Sequence, residues 1–534
     1  MNQRSPESAR VTETLARRFR GSRLVSSTQK GCSMVHRFAL LATAIAGVTS
    51  FSQVPARPSV PRLWTHDALA GWALPIAGVK ATPKYFTEGE YYAAPVDEVR
   101  TYPVYIKNRE PEGYREWIRK QGPQPLIEPA KLTSEADWIA AGREVFDGLH
   151  LAEFRTADPR AFQWADDPEL MARQGVTVAA NGTIPGVRWL IDHDGQLKIT
   201  LAECSGCHTR VLPDGSIVRG AQRNLQWGSL PGFSFDALDE IRRREGRTRP
   251  ANEKAYSSYG VPWLKDDINA TLKTMTAEQV DRVDGEPFLG TFVRFNASPW
   301  FTTKIPDLIG VKDRRYLDAT ATHRNRGPED IARYAILVTV AEDGAIGPHT
   351  FQSEADRALR YRYSDEAMLA LGKYIYSLQP PPNPNRPNGV TARGARVFER
   401  ADCDRCHTPP LYTNNRLVPV GGFAAFVHPS SPPISDVMRT RVGLDPGLAL
   451  KTRKGTGYYK VPSLKGLWYR GPFEHSGSIT TLEEWFDPAR LRDDYLPKGW
   501  NPPDIRVRPI PGHEYGLDLT AEDKRALIAF LKTL

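Results

Sequence analysis

Four of the five cysteines in this 534-residue chain lie in two copies of one pattern, C-x-x-C-H. The copies are Cys204-Ser205-Gly206-Cys207-His208 and Cys403-Asp404-Arg405-Cys406-His407. Two thiols three residues apart lie on one face of a helical turn, so both can reach the vinyl groups of one haem. The histidine that follows can give the iron its proximal nitrogen. The pattern predicts two covalently bound c-type haems, with thioethers at Cys204, Cys207, Cys403 and Cys406 and iron ligands at His208 and His407.

The same motif serves other chemistries, and its spacing separates some of them. A four-cysteine zinc site keeps its pairs roughly 15–20 residues apart, whereas about 200 residues lie between these two pairs. A redox dithiol or a disulfide stays open as an alternative for each pair. Two copies that both end in histidine favour haem over these alternatives.

The sixth ligand decides whether an iron only passes electrons or also binds an oxidant. For the second haem the candidates are His428, Met438, His475 and His513. We favour His513, which lies seven residues before the last predicted helix, because a loop at that place can fold over the far face of the haem. For His475 we expect a structural hydrogen-bonding role.

The first copy offers no ligand at the equivalent position, which is Arg357. The remaining candidates, His323, His349 and Met275, occupy no matching place in the repeat. The sequence therefore predicts an asymmetric pair, with the first haem open or weakly ligated and the second saturated. Completion of the first iron by a distal histidine or a water is the alternative.

Each haem motif belongs to a repeated helical unit. The pattern G-x-x-V-F precedes each motif, as Gly142–Phe146 and as Gly394–Phe398. An amphipathic helix closes each unit, with Ser364 and Thr520 as predicted N-caps followed by acidic residues. On the apolar faces of these closing helices, Ala370-Leu371 corresponds to Ala526-Leu527. This order of elements is typical of cytochromes c.

These patterns predict a mainly α fold with two cytochrome c-like haem domains, long loops and a small β insertion in the first domain. The predicted domains cover residues 133–379 and 390–534, and a Pro-rich linker joins them at 380–389. The insertion reads as a β-hairpin with strands at Gly186–Asp192 and Leu197–Thr200.

The first 56 residues read as a targeting segment, followed by an irregular extension at 57–132. The apolar run Phe38–Val48 follows Arg37 and is too short to span a bilayer, and Met34 would be an alternative start. We therefore expect a periplasmic or secreted protein without a transmembrane span in the mature chain. The net charge is +9, but no basic run interleaved with aromatic residues suggests nucleic-acid binding.

Further segments resemble a known family. They are Lys460–Gly466, Gly471–Ser478 and Thr481–Glu484. Together with the two C-x-x-C-H motifs, they resemble the bacterial di-haem cytochrome c peroxidase superfamily over roughly residues 135–534. Other stretches are closest to its rubber-oxygenase-like branch, namely Cys207–Gly215, Thr408–Asn415 and Lys454–Lys460. The resemblance implies that the ligand of the second iron lies in the loop beyond the H-x-G segment, where this chain has His513.

Three functions remain open at this point. One is a peroxidase-like oxidoreductase that activates peroxide or dioxygen at the first haem, with the second haem relaying electrons from a donor protein or a small reductant. Another is a dioxygenase for an apolar unsaturated substrate, and the third is a di-haem electron carrier. The aromatic stretch Phe288–Phe301 could line an apolar pocket. The candidate catalytic residues are Trp300, Phe301 and Tyr316, and the candidate acid–base groups are Glu286, Asp318 and Glu329.

Overall fold

The computed structural model of this protein describes residues 60–152, 155–157, 166–167, 169, 171, 176–224, 250–284, 290–292, 297–340, 344–351, 359–423, 436–440, 442–499 and 512–534. The predicted targeting segment, with its apolar run Phe38–Val48, lies outside these residues. Within them, no helix is both long and apolar enough to cross a membrane.

Helices form the frame that holds the two cysteine motifs. In chain order they are α1 His66–Leu69, α2 Glu88–Ala93, α3 Tyr114–Gln121, α4 Glu135–Gly148, α5 Glu203–Cys207, α6 Ala251–Tyr259, α7 Ala277–Asp284, α8 Pro328–Thr339, α9 Asp365–Ser377, α10 Gly389–Arg400, α11 Gly447–Leu450, α12 Leu482–Trp485 and α13 Ala521–Leu531. Short 3₁₀ turns lie at Lys107–Arg109, Pro129–Lys131, Ile268–Thr274, Val311–Asp313, Cys403–Arg405 and Pro488–Leu491.

Two equivalent helix pairs organise the fold. In the first pair α4 packs on α9, and a Cβ at Gly142 would lie 1.9 Å from the carbonyl oxygen of Ala370. In the second pair α10 packs on α13, and a Cβ at Gly394 would lie 2.0 Å from the carbonyl oxygen of Ala526. Glycine is therefore required at both crossings, because any side chain would push the helices apart.

The helix ends and the aromatic contacts repeat in the same way. Ser364 caps α9 by accepting from the backbone N–H of Ala367, and Thr520 caps α13 by accepting from that of Asp523, so both predicted N-caps are confirmed. The rings of Phe146 and Tyr374 lie 5.4 Å apart in the first pair. Those of Phe398 and Phe530 lie 5.5 Å apart in the second.

Short strands close the loops between the helices. They are β1 Pro83–Lys84, β2 Thr101–Tyr105, β3 Thr183–Ile191, β4 Leu197–Leu201, β5 Thr209–Val211, β6 Ile217–Arg219, β7 Thr291–Phe292, β8 Thr303–Lys304, β9 Tyr316–Leu317, β10 His323–Arg324, β11 Ala345–Ile346, β12 His349–Thr350, β13 Leu417–Pro419 and β14 Tyr458–Lys460. The described residues form two three-stranded sheets, β1-β11-β12 and β2-β3-β4, and four two-stranded ones. A mainly α fold is thus confirmed only in part, because most of these strands are too short to leave an alternating pattern in the sequence.

The predicted β-hairpin is confirmed. Strands β3 and β4 pair antiparallel from Val187 opposite Leu201 to Ile191 opposite Leu197. Strand β2 adds to the other edge of β3, with Thr101 opposite Leu190. This third strand comes from the segment 57–132, for which the sequence indicated no regular element.

The segment before the first helix pair contributes to the same core. Trp64, Trp72 and Tyr91 are fully buried in one cluster with Phe146 of α4 and with most of the apolar face of α9. The Pro-rich linker has no helix or strand before α10 begins, and the side-chain amides of Asn383 and Asn385 both donate to the carbonyl of Lys532 just after α13. The linker is therefore fixed to the second helix pair.

Candidate haem-binding site

The first cysteine motif forms helix α5, and His208 is its C-terminal cap. The Nδ1 of His208 lies 3.0 Å from the carbonyl oxygen of Pro306. A carbonyl can only accept, so Nδ1 carries the proton and Nε2 is left with a lone pair for a metal. Strand β3 supports this turn closely, since a Cβ at Gly186 would lie 2.5 Å from the Cα of Gly206.

The second motif begins with a 3₁₀ turn, Cys403–Arg405, and ends in the buried His407. The Nδ1 of His407 lies 3.1 Å from the carbonyl of Pro462 and 3.2 Å from that of Tyr412. Burial lowers the pKa of His407 to about 4, so the ring is neutral at physiological pH. A neutral imidazole with a fixed Nδ1–H is the form in which histidine binds metals.

The two anchoring prolines belong to a repeat that the sequence contains and that the motif analysis missed. The segments are Lys304-Ile305-Pro306-Asp307-Leu308-Ile309-Gly310 and Lys460-Val461-Pro462-Ser463-Leu464-Lys465-Gly466. Corresponding residues are 156 positions apart, the same offset that relates Ser364 to Thr520. The left-handed residues match as well, in the pairs Gly310 and Gly466, Asp318 and Glu474, and Ala321 and Gly477. The shared pattern K-[IV]-P-x-L-x-G would have revealed the anchors from sequence alone.

The surroundings of Cys204 and Cys403 disfavour a redox-active thiolate. Burial raises the pKa of the Cys204 thiol, and that of Cys403 to about 12. A redox-active dithiol needs at least one thiol with a lowered pKa. In the described part of the chain, no disulfide joins the two cysteines of either motif. Within the described part of the chain, no group of three or more His, Cys, Asp or Glu side chains could hold a metal ion on its own.

His513 faces His407. Their ring centres lie 6.5 Å apart. Two imidazoles bound to one metal from opposite sides, with metal–nitrogen bonds of about 2.0–2.1 Å, have ring centres about 6.4 Å apart. The Nδ1 of His513 is buried and has no hydrogen-bond partner among the described residues. Burial and the nearby His407 lower the pKa of His513 to about 3, so it too is neutral. The two imidazoles could therefore hold one haem iron between them.

Arg490 positions the loop that carries His513. This arginine is fully buried, and its guanidinium donates to the carbonyls of Trp485, Gly512 and His513 at 2.8, 3.0 and 2.8 Å. The indole of Trp485 contacts the His513 ring edge-on, with ring centres 5.1 Å apart. Sequence patterns gave no sign of Arg490, since its three acceptors are backbone carbonyls, which any residue type supplies.

The other candidate ligands of the second iron have surroundings that differ from those of His513. Met438 is buried in a small cluster with Cys406, and the Asn414 amide lies 3.5 Å from its sulfur. His475 stacks on Tyr459, whose hydroxyl lies 3.1 Å from Nε2, and its Nδ1 contacts Glu474. That bonding is consistent with the structural role expected for His475. His428 lies outside the described residues.

The described candidates for the sixth ligand of the first iron are hydrogen-bonded to, or packed against, other side chains. His323 is buried with Nε2 2.7 Å from the Tyr85 hydroxyl and Nδ1 2.9 Å from that of Thr322. His349 packs against Trp263, and Met275 packs in a cluster around Tyr259. Arg357 lies outside the described residues.

The predicted catalytic residues are not brought together. Trp300 is buried in the cluster around Tyr259, while Phe301 and Tyr316 belong to another cluster with Leu448 and Tyr458. Neither cluster includes Cys204, which packs against the core around α4 and α9. The Tyr316 hydroxyl donates to Asp436. The predicted apolar stretch Phe288–Phe301 is described only in part.

The three candidate acid–base groups also separate. Asp318 accepts from the Thr322 hydroxyl at 3.0 Å and lies 3.5 Å from the Lys454 ammonium, so it is held in an ion pair. Glu329 is in the first turn of α8. Glu286 lies outside the described residues.

The chain is similar to a curated protein in sequence and, distantly, to several solved structures, of which two are described below. No family model matches the chain. The chain is 28% identical over 158 residues to the cytochrome-c peroxidase IdrP1 of Pseudomonas sp. (strain SCT), which is 27% of this chain and 39% of that protein. The chain thus matches less than half of that relative's length.

The structural neighbours align at low similarity. One is a MauG-like protein associated with microbial copper homeostasis, with 18% identity and a TM-score of 0.26 over 43% of this chain and 73% of that one. The other is the hydrazine synthase of Kuenenia stuttgartiensis, pressurised with xenon, with 15% identity and a TM-score of 0.26 over 46% and 76%. The sequence similarity of this chain is thus to a cytochrome-c peroxidase, over part of each protein.

Proposed function

We propose that this chain is an exported, haem-dependent oxidoreductase of the di-haem cytochrome c peroxidase type. Two c-type haems are attached at Cys204 with Cys207 and at Cys403 with Cys406. The observation that carries the proposal is the pair of His407 and His513, whose ring spacing suits an iron between them. The partial similarity to a cytochrome-c peroxidase supports the same class.

The residues of the chain would hold the two haems differently. Bound haem would supply an iron that exchanges electrons and, where an axial position is open, binds peroxide or dioxygen. His208 and His407 are each oriented by a proline carbonyl of the repeat. His513 would close the second iron, whereas His323, the buried candidate for the first, is already hydrogen-bonded to Tyr85 and Thr322. The second haem would then relay electrons, and the first would activate the oxidant.

The alternatives have less support. A rubber-oxygenase-like dioxygenase needs an apolar pocket beside the first haem, but Trp300 and Phe301 pack in clusters that do not include Cys204. A pure electron carrier needs a sixth ligand on the first iron as well as on the second. The peroxidase class is therefore the function that the site supports best, with an electron-donor protein or a small reductant as its partner.

A cyanide titration of the ferric protein, followed by absorption and electron paramagnetic resonance, tests this proposal. We expect one of the two haems to bind cyanide and peroxide to be consumed with a reduced donor. If neither haem binds cyanide, and if neither peroxide nor dioxygen is consumed, the chain is an electron carrier. Dioxygen uptake with an apolar unsaturated substrate and no reductant would assign the chain a dioxygenase function in place of the peroxidase function.

A further inference from the structure

A buried series of hydrogen bonds crosses the β9-β10 hairpin of the first copy. The Tyr85 hydroxyl lies 2.7 Å from Nε2 of His323, and Nδ1 of His323 lies 2.9 Å from the Thr322 hydroxyl. That hydroxyl donates to a carboxylate oxygen of Asp318 at 3.0 Å. Thr322 and His323 are buried, and the side chain of Asp318 is 8% exposed. We call these four residues the Tyr85 relay.

The chemistry of the four groups fixes the direction of every bond. Asp318 lies 3.5 Å from the Lys454 ammonium, so it is an ion-paired carboxylate and can only accept. The Thr322 hydroxyl has one proton, which it donates to Asp318, and it therefore accepts the Nδ1 proton of His323. Nε2 of His323 is left with the lone pair, so Tyr85 donates to it. The relay thus places a base directly on the phenolic proton of Tyr85.

The second copy shows that the fold does not require a histidine at this place. His323 pairs with Leu317 across its hairpin. At the offset of 156 positions that relates the two copies, Ile479 pairs with Phe473 in the same register. Ile479 is fully buried, and His323 is nearly so. Because an aliphatic side chain fills the same position of the repeat, the base beside Tyr85 is a feature of the first copy and not of the framework.

Aromatic rings connect the Tyr85 relay with the surface. The ring of Trp64 lies 5.8 Å from that of Tyr85 and 5.3 Å from that of Tyr91. Tyr92 follows at 5.1 Å from Tyr91 and is half-buried, whereas Trp64 and Tyr91 are fully buried. Tyrosine and tryptophan can each lose one electron, and electron transfer is fast between rings in contact because its rate falls steeply with distance. These rings therefore form an electron path between the relay and the half-buried Tyr92.

The Tyr85 relay borders the core that also holds the first cysteine motif. Tyr85 and Cys204 both pack against the cluster around α4 and α9, which includes Trp64 and Trp72. The ring of Trp72 lies 4.2 Å from that of His323. A haem attached at Cys204 would therefore share this core with Tyr85.

We propose that Tyr85 is a one-electron donor to the first haem, with His323 as its proton acceptor. The inference rests on the proposed function, since the oxidant is the first haem after its reaction with peroxide. The haem gains one electron from Tyr85, the phenolic O–H bond breaks, and an N–H bond forms at Nε2 of His323. The products are a neutral tyrosyl radical and an imidazolium, which donates through Thr322 toward the Asp318 carboxylate.

The base is what makes Tyr85 a suitable donor. A phenol that loses an electron but keeps its proton is a cation, and an unpaired charge in the interior is costly. Transfer of the proton to His323 moves this charge onto an imidazole that is hydrogen-bonded at both nitrogens. An external reductant would return the electron through Tyr92, and the proton would return from His323 to the oxygen of Tyr85.

The experiment mixes the full, haem-loaded protein with an equivalent of hydrogen peroxide and records electron paramagnetic resonance after rapid freezing. We expect a tyrosyl radical signal that narrows when the protein contains ring-deuterated tyrosine and that is absent from Tyr85→Phe. The matched control is Tyr376→Phe, which removes another phenol of the same core. The Tyr376 hydroxyl donates to the Asn325 amide oxygen, which is not a base, so this variant should keep the signal.

Two substitutions of His323 test the proton transfer itself. His323→Ile introduces the side chain that the second copy has at this position, and His323→Gln keeps a hydrogen-bond acceptor that is too weak a base to take the proton. We expect radical formation to slow by on the order of 10²-fold in both variants, since a positioned base contributes at least that much. Radical formation in His323→Gln at the wild-type rate would contradict the proton transfer.

The outcomes separate this inference from the proposed function. Suppose that the protein carries two haems by mass and that peroxide changes their absorption spectrum. A missing radical, or a radical that persists in Tyr85→Phe, would then overturn the inference alone. A haem spectrum that peroxide leaves unchanged would instead overturn the proposed function, and the inference with it.

Discussion

His513 would make the two proposed haem sites different, because its imidazole lies opposite that of His407. Replacing His513 by Gly should open the sixth position of the second iron and produce a new high-spin ferric signal. The control is His349→Gly, which removes another candidate ligand and should leave the spectrum unchanged. A high-spin signal that arises from Met438→Ala and not from His513→Gly would assign the ligand to Met438.

Arg490 acts through the backbone of the His513 loop and not through the iron. Its removal leaves the carbonyls of Trp485, Gly512 and His513 without this donor, at a cost of about 1–3 kcal/mol for each buried group that stays unpaired. We expect Arg490→Leu to give a partly high-spin second haem and a lower unfolding temperature. Arg490→Lys should restore part of the low-spin signal. A variant that loses stability but keeps a fully low-spin spectrum would show that Arg490 does not position His513.

The helix pairs depend on a glycine at each crossing. Gly394→Val places a side chain against the carbonyl of Ala526 in α13, and overpacking of this kind costs about 1–3 kcal/mol. We expect a lower free energy of unfolding in a denaturant titration. The control is Gly389→Ala at the start of the same helix, where a Cβ meets no atom within 4 Å. Equal stability of the two variants would mean that α10 and α13 do not cross in this way.

The sequence predicted the longer elements because their signals are local. The G-x-x-V-F helices, the Ser364 and Thr520 caps and the β3-β4 hairpin each follow from a few neighbouring residues. Strands of two residues leave no such pattern, so the many small sheets were not predicted. At the site, loop position singled out His513. Pro306 and Pro462 act through backbone carbonyls, so only the repeated pattern around the two prolines, and not their residue type, could have pointed to them.

At the scale of the whole molecule, one helical unit occurs twice, and we propose that its two copies serve different purposes. Both copies keep the glycine crossing, the capped closing helix and the proline anchor, so the fold treats the two motifs alike. The copies differ in sequence seven residues before Ser364 and Thr520, where the second carries His513 and the first carries Arg357. Catalytic asymmetry would arise from this difference and not from the shared framework.

The central claim is that the chain carries two covalent haems, one at each C-x-x-C-H motif. The mass of the denatured protein, isolated from a host that matures c-type cytochromes, tests this most directly. Because thioether bonds survive denaturation, we predict a mass that exceeds the polypeptide by two haems, and by one haem after Cys403→Ala with Cys406→Ala. A wild-type mass that exceeds the polypeptide by one haem or by none would contradict the account.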